Sequence, residues 1–286
     1  MINGTCPSTI QRQSERHLMI ATQDYGWSQL VRRRGMPWPE ATDWAMDLAR
    51  QAGFDGWEPY LDTDRDARRI GRLAGLHGLA MPSVFVSGDL HSATGDLTRM
   101  ADAASAAAEF GAVLVAVYPS ALNGADKSDA HLAQQAANLS DLARQLSPLG
   151  LKVLYHPEEP EMRHSAREFH HVLAHTDPAL VGLCLDPDTF WRGLGRTTDA
   201  VLAVIDRYGD RLDALHIRQS HGGIWTEALG PGDIDYPAIA ARLSSLERQP
   251  LLVVEHAYQD DTPDTLDPLT AHRRSLTYVR TTFATP

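Results

Sequence analysis

Ionisable residues recur at the ends of otherwise apolar segments of this 286-residue chain. Glu58 lies near the end of DGWEPY, and His156 closes LKVLYH with Glu158, Glu159 and Glu161 just beyond it. Asp186 closes VGLCLD, His216 stands near the end of LDALHI, and Glu255 near the end of PLLVVEH. Burying several carboxylates together is unfavourable unless a cation compensates them. A metal ion is the simplest compensation. Carboxylate and imidazole donors without thiolate suit one divalent ion, Mn2+ first and then Mg2+, Co2+ or Zn2+, and open coordination positions would admit a substrate hydroxyl or carbonyl. Alternation along LKVLYHPE sets Leu154, His156 and Glu158 on one face and turns Tyr155 to the other, whereas Glu161 has to return from the loop.

Each position also has a plainer reading. Glu58 can pair with an Arg of a neighbouring strand, His216 can be a hydrogen-bonded core histidine, and the acidic run after His156 can be a solvated loop. Asp186 and Glu255 resist such readings, because their strands are apolar up to that residue. Trp27 and Trp225 fall in long loops, where an aromatic face can stack on a sugar or simply pack. His170 and His171 lie in a helical stretch and read as surface or packing residues. Gly230, Gly232 and Asp233 read as a tight turn.

The elements that must position these groups alternate. HLMIAT, DGWEPY, MPSVFV, AVLVAVY, LKVLYH, VGLCLD, LDALHI and PLLVVEH are eight strand candidates. The spacers between them, such as PEATDWAMDLARQAG, TRMADAASAAAEFG and DAHLAQQAANLSDLARQLSPLG, have helical periodicity and end in the glycines that helix C-termini favour. Apolar strands alternating with helices imply parallel pairing through right-handed crossovers, and about eight units close into a barrel. The fold class is therefore α/β, a single (β/α)8 barrel over residues 17–286 behind a flexible leader over 1–16. An open doubly wound sheet fits less well, since no Gly-rich phosphate fingerprint follows the first strand. Two longer insertions, QDYGWSQLVRRRGMPWPE and QSHGGIWTEALGPGDIDY, fall on the C-terminal face, where they are candidate substrate-covering loops.

Composition narrows the function classes. The formal net charge of −11 opposes nucleic-acid binding, which rests on a basic surface. The polar N-terminus carries no apolar segment of signal length, and no later run reaches the length of a membrane span, which together imply a cytoplasmic protein without a membrane partner. The two cysteines, Cys6 and Cys184, read as free thiols.

FDGWEPY, YHPEEPEMR, LCLDPDTFWRG, LHIRQSHGGIWTEALGPGDIDY and VVEH together resemble the xylose isomerase-like barrels, a superfamily of sugar-phosphate isomerases and epimerases that also includes inosose dehydratase-like proteins and endonuclease IV. The resemblance spans the chain from His17 onward, and the LHIRQ segment carries most of it. It implies one divalent ion held by Asp186, His216 and Glu255, with the fourth ligand from Glu161 or Glu158. Two departures stand out. Glu158 replaces the second histidine of a Tyr-His-x-His pattern, and Asp188 takes a place often held by histidine. Both make the pocket more anionic, offset by Arg218 or Arg192, which favours a neutral polyol or keto sugar over a sugar phosphate and argues against an endonuclease role.

The chemistry so implied is metal-assisted proton transfer beside a carbonyl, through an enediolate, in an isomerase or epimerase. Glu158 is the candidate base and His156 the candidate acid, with Glu255 an alternative base; Glu58, Asp188, Arg218, Trp27 and Trp225 are candidate substrate contacts. A lyase or dehydratase on the same substrates shares the early steps. A noncatalytic ligand- or partner-binding barrel is the third reading, and the family's dimers and tetramers leave a homo-oligomer open.

Overall fold

The structure, a computed structural model, describes residues 18–284 except 39, 94, 123 and 124. The leader and Cys6 therefore lie outside the described residues.

Eight parallel strands form one sheet: β1 (Ile20–Gln23), β2 (Gly56–Glu58), β3 (Ser83–Gly88), β4 (Leu114–Pro119), β5 (Lys152–Tyr155), β6 (Val181–Leu185), β7 (Leu212–Ile217) and, after a short antiparallel hairpin of β8 (Ser220–His221) and β9 (Ile224–Trp225), β10 (Leu251–Val254). Their order is β2-β1-β10-β7-β6-β5-β4-β3. The end strands β2 and β3 meet through parallel bridges at Gly56–Ala80 and Tyr60–Phe85, so the sheet curls into a nearly closed barrel. All eight strand candidates read from the sequence are present.

The helices are α1 (Asp24–Arg33), α2 (Thr42–Ala52), α3 (Asp64–Leu76), α4 (Leu97–Ala108), α5 (Asp129–Leu146), α6 (Arg163–Ala174), α7 (Pro187–Gly193), α8 (Thr198–Tyr208), α9 (Tyr236–Ser245) and α10 (Pro268–Phe283). Their boundaries follow local chemistry. Thr63, Ser128, Thr197 and Asp267 cap N-termini through side-chain oxygens. Gly53, at φ +102°, closes α2 in the left-handed region that a Cβ disfavours.

Alternation along each strand divides the core. Phe85, Ala116, Leu154, Cys184 and Ala214, one from each of β3 to β7, meet inside the barrel as its apolar floor. The opposite-facing residues join a larger cluster beneath the helices, where Tyr155 lies against Phe169 of α6 with ring centroids 6.2 Å apart, on the helix side as alternation requires. Functional groups then continue the inner face at the C-terminal mouth.

The insertion after β1 is not a loop over that mouth but mainly α1, whose Leu30 and Val31 are buried. It packs closely: a Cβ on Gly26 would lie 2.4 Å from the His256 carbonyl oxygen at the end of β10. The insertion after β7 forms the β8–β9 hairpin. Asp233 holds it by accepting from the Gly222 and Gly223 amides, at 3.0 and 2.7 Å, and from Ser220 Oγ at 2.8 Å. No helix among the described residues is long and apolar enough to cross a membrane.

Candidate active site

His216, on β7, is fully buried and lies between two carboxylates. Its Nε2 is 2.8 Å from Glu58 Oε1 and its Nδ1 is 2.7 Å from Glu255 Oε2. Burial opposes its charged form, but Cys184, Glu58 and Glu255 outweigh burial and hold the imidazole well above its ordinary pKa. Among the described residues no Arg pairs with Glu58; its other oxygen accepts from Ser83 Oγ.

His156 follows β5, its Nε2 3.2 Å from His216 Nδ1 and its ring edge-on to Phe85. Burial and the neighbouring His216 charge push it well below the ordinary value, so it is neutral. The donor atoms of His156, Cys184 and His216 lie within 4.8 Å of one another.

Asp186 ends β6 and caps α7, accepting from the Asp188 amide at 2.9 Å and from Thr189 Oγ1 at 3.0 Å. Arg218, two residues beyond His216 on the same face, forms an ion pair with Asp186 and reaches Glu255 Oε1 at 3.2 Å. Arg218 and His216 together hold Glu255 low, at about 2, against its burial. Asp188 accepts from Arg192 Nε at 2.8 Å and from Trp225 Nε1 at 3.0 Å. The Trp225 ring packs against the Arg192 guanidinium at 5.0 Å and that of Arg218 at 5.8 Å.

Glu158 opens the loop after β5, with Oε1 3.7 Å from His156 Nδ1. Burial, together with Glu255 and Asp186, raises its pKa to about 7 against the opposing pull of Arg218. Burial and the same carboxylate crowding raise Asp186 to about 6.

Two expected members lie elsewhere. Glu161 sits beside Lys127, at 3.9 Å, and does not join Asp186, His216 and Glu255; Glu158 is the acidic residue of this loop that faces them. Trp27 offers no face to the mouth: it is 1% exposed, donates to Thr22 Oγ1 at 3.1 Å and stacks on His272 at 3.8 Å. The turn of α1 directs it into the wall.

Other mouth residues were not singled out from the sequence. Asp24 follows β1 directly, accepts from the Tyr60 amide at 3.1 Å, and is raised to about 8 by burial, Glu58 and Glu255. The strand-end rule that found Asp186 applies to it equally. Tyr25, next in sequence, senses the charges of Arg218, Glu255 and Glu158 and is partly exposed.

The sequence pattern of the xylose isomerase-like TIM barrel family matches residues 46–282. The chain belongs to that family. No curated protein matches the chain. Among solved structures, it is similar to a D-allulose 3-epimerase from Methylomonas sp. (19% identity, 93% of this chain and 98% of that one, TM-score 0.71). It is also similar to the E. coli 3-keto-D-glucoside 4-epimerase (18%, 92% and 99%, TM-score 0.69) and to a D-psicose 3-epimerase from Clostridium cellulolyticum H10 (13%, 93% and 99%, TM-score 0.73). At these identities the likeness is one of fold.

The donor chemistry of the mouth fits a divalent cation. Six carboxyl groups, those of Asp24, Glu58, Glu158, Asp186, Asp188 and Glu255, face the guanidinium groups of Arg192 and Arg218 and the ring of His216. His156 Nδ1 and Asp188 Oδ1 are buried without a hydrogen-bond partner among the described residues. Even with Asp24 largely protonated, the remaining carboxyl groups outnumber the three cationic groups, and the same cluster holds atoms without a hydrogen-bond partner.

Proposed function

We propose that the chain is a divalent-metal-dependent epimerase or isomerase of a neutral keto sugar or polyol. The observation that carries this reading is the cluster at the C-terminal mouth in which His216 contacts Glu255, Arg218 links Glu255 to Asp186, and Glu158 stands nearby with its pKa raised to about 7. Asp186, His216 and Glu255 would hold the ion, with neutral His156 the nearest further donor. When bound, the ion polarises a carbonyl and an adjacent hydroxyl and acidifies the C–H beside them.

The chain's own residues supply the rest. A carboxyl whose pKa lies near 7 can exchange a proton at neutral pH, which suits Glu158 to remove the α-proton and, in an isomerase, to return it at the neighbouring carbon; epimerisation needs return at the opposite face, for which Glu255 is the second candidate carboxyl. His156, with Nδ1 3.7 Å from Glu158 Oε1, stays neutral and packs beside that carboxyl without a hydrogen bond to it. Arg218 keeps Glu255 ionised. Trp225, pinned by Asp188 and flanked by Arg192, offers an aromatic wall for a sugar face. The excess of carboxylates disfavours a phosphorylated substrate. That the solved neighbours include epimerases of D-allulose, D-psicose and a 3-keto-D-glucoside supports the same substrate class.

The test is proton exchange. Neutral ketoses and 3-keto glucosides incubated with the Mn2+-supplemented protein in D2O should gain deuterium at the carbon beside the carbonyl and yield an epimer or isomer. Turnover of phosphorylated sugars alone would overturn the substrate class, and an elimination product would make the chain a lyase.

A further inference from the structure

Glu161 is completely buried, yet faces away from the carboxylates it was expected to join. Its Oε2 accepts from the backbone N–H of Glu158 at 2.8 Å, while the Glu158 side chain accepts in return from the Glu161 backbone. Each residue thus fixes the other across a single turn. Beside them lies Lys127, also buried, with Nζ 2.7 Å from Glu168 Oε1 and 3.9 Å from Glu161 Oε1. Gln135 Nε2 donates to the same Glu168 oxygen at 2.9 Å. The Lys127 ammonium thus pairs directly with the partly buried Glu168 and stands within ion-pair distance of Glu161, whose Oε1 has no hydrogen-bond partner among the described residues.

The surrounding backbone needs such support. His164, Ser165 and Ala166 have φ between +51° and +59°, the left-handed region that side-chain-bearing residues resist by about 1–2 kcal/mol each. Ties to the start of α5 and the segment before it hold this turn: His164 Nε2 lies 2.7 Å from Asp126 Oδ2, and Arg167 donates to the Lys127 carbonyl at 2.9 Å and pairs with Asp129.

We propose that Lys127 and Glu161 form a buried brace that positions Glu158 in the active site, Glu161 acting through the Glu158 amide and not as a metal ligand. The proposal rests on the reading of Glu158 as the proton carrier. Its physical basis is that a loop carboxyl becomes a useful base only when its backbone is held, and here the hold comes from the buried Glu161 carboxyl beside Lys127, outside the mouth.

Glu161→Gln and Glu161→Met separate the possibilities, since both keep the side-chain length but only glutamine retains an oxygen to accept from the Glu158 amide. Amide hydrogen exchange at Glu158 should quicken at least about tenfold in Glu161→Met and stay near wild type in Glu161→Gln. The kcat should fall about 10- to 100-fold in Glu161→Met, with Glu161→Gln restoring most of it, and the Mn2+ affinity of both should stay within about threefold of wild type. Lys127→Met should quicken the same amide to a smaller extent, which keeps the test open if Glu161→Met does not fold. Unchanged exchange at Glu158 in Glu161→Met and Lys127→Met would overturn the brace. Loss of Mn2+ binding in both Glu161 variants would overturn it too, by making Glu161 a ligand. Faster exchange with unchanged kcat would leave the brace standing and instead remove Glu158 from catalysis.

Discussion

Two pairs of buried histidines divide the molecule. His156 and His216 face the barrel interior among Glu58, Glu158 and Glu255; His256 and His272 face the wall beneath α1 and α10, against Trp27 and Ser275. The two environments meet across a single peptide unit, since Glu255 follows its strand pointing inward and His256, the next residue, points out. In the wall, neighbours are aromatic rings, a hydroxyl and the Pro268 carbonyl, and burial depresses both imidazoles, His272 to about 4. At the mouth, carboxylates hold His216 charged. Burial alone does not make a histidine functional; the charge of its neighbours decides.

Changes in the two regions should therefore separate activity from stability. Glu158→Gln should lower kcat by about 10^2- to 10^4-fold, the usual contribution of a general acid–base, while leaving the melting temperature unchanged. Equal loss of stability would blur the distinction between mouth and wall. Trp27→Ala should do the reverse, costing about 3–5 kcal/mol in denaturant unfolding with the kcat of the folded protein preserved. A large fall in kcat would return Trp27 to the substrate.

The wall histidines also predict a pH dependence. The pKa of His272 falls from its ordinary 6.5 to about 4 on folding, so the unfolded chain binds the proton more readily between those values. Its contribution is complete above pH 6.5 and is lost as pH drops toward 4, by about 3 kcal/mol. Unfolding free energies measured across that window should show this slope in wild type and a flatter one in His272→Gln. The smallest effect belongs to the mouth's rim: Trp225→Phe, which keeps the ring but loses the bond to Asp188, should raise KM several-fold, corresponding to about 1 kcal/mol.

Much of this was legible in the sequence, because barrel strands are apolar to their last residue and a charge at that point is conspicuous. Asp186 and Glu255 stood out for that reason, and the repeat of strand and helix fixed the architecture around them. Trp27 and Glu161 each had two readings in the sequence because their side-chain directions depend on turns that strand periodicity does not reach: α1 begins immediately after β1 and takes Trp27 into the wall, and the turn over Glu159–Met162 sets Glu161 beside Lys127. Lys127 itself, a lone cation in a loop, has no local pattern that marks it as buried.

The most direct test of the metal-dependent reading is calorimetric titration of the purified, chelator-treated protein with Mn2+, alongside Asp186→Ala and Glu255→Ala. The account predicts about one ion per chain in wild type and no measurable binding in either variant. Absence of binding to wild type by Mn2+, Co2+, Zn2+ and Mg2+ alike, or undiminished binding in both variants, would contradict it.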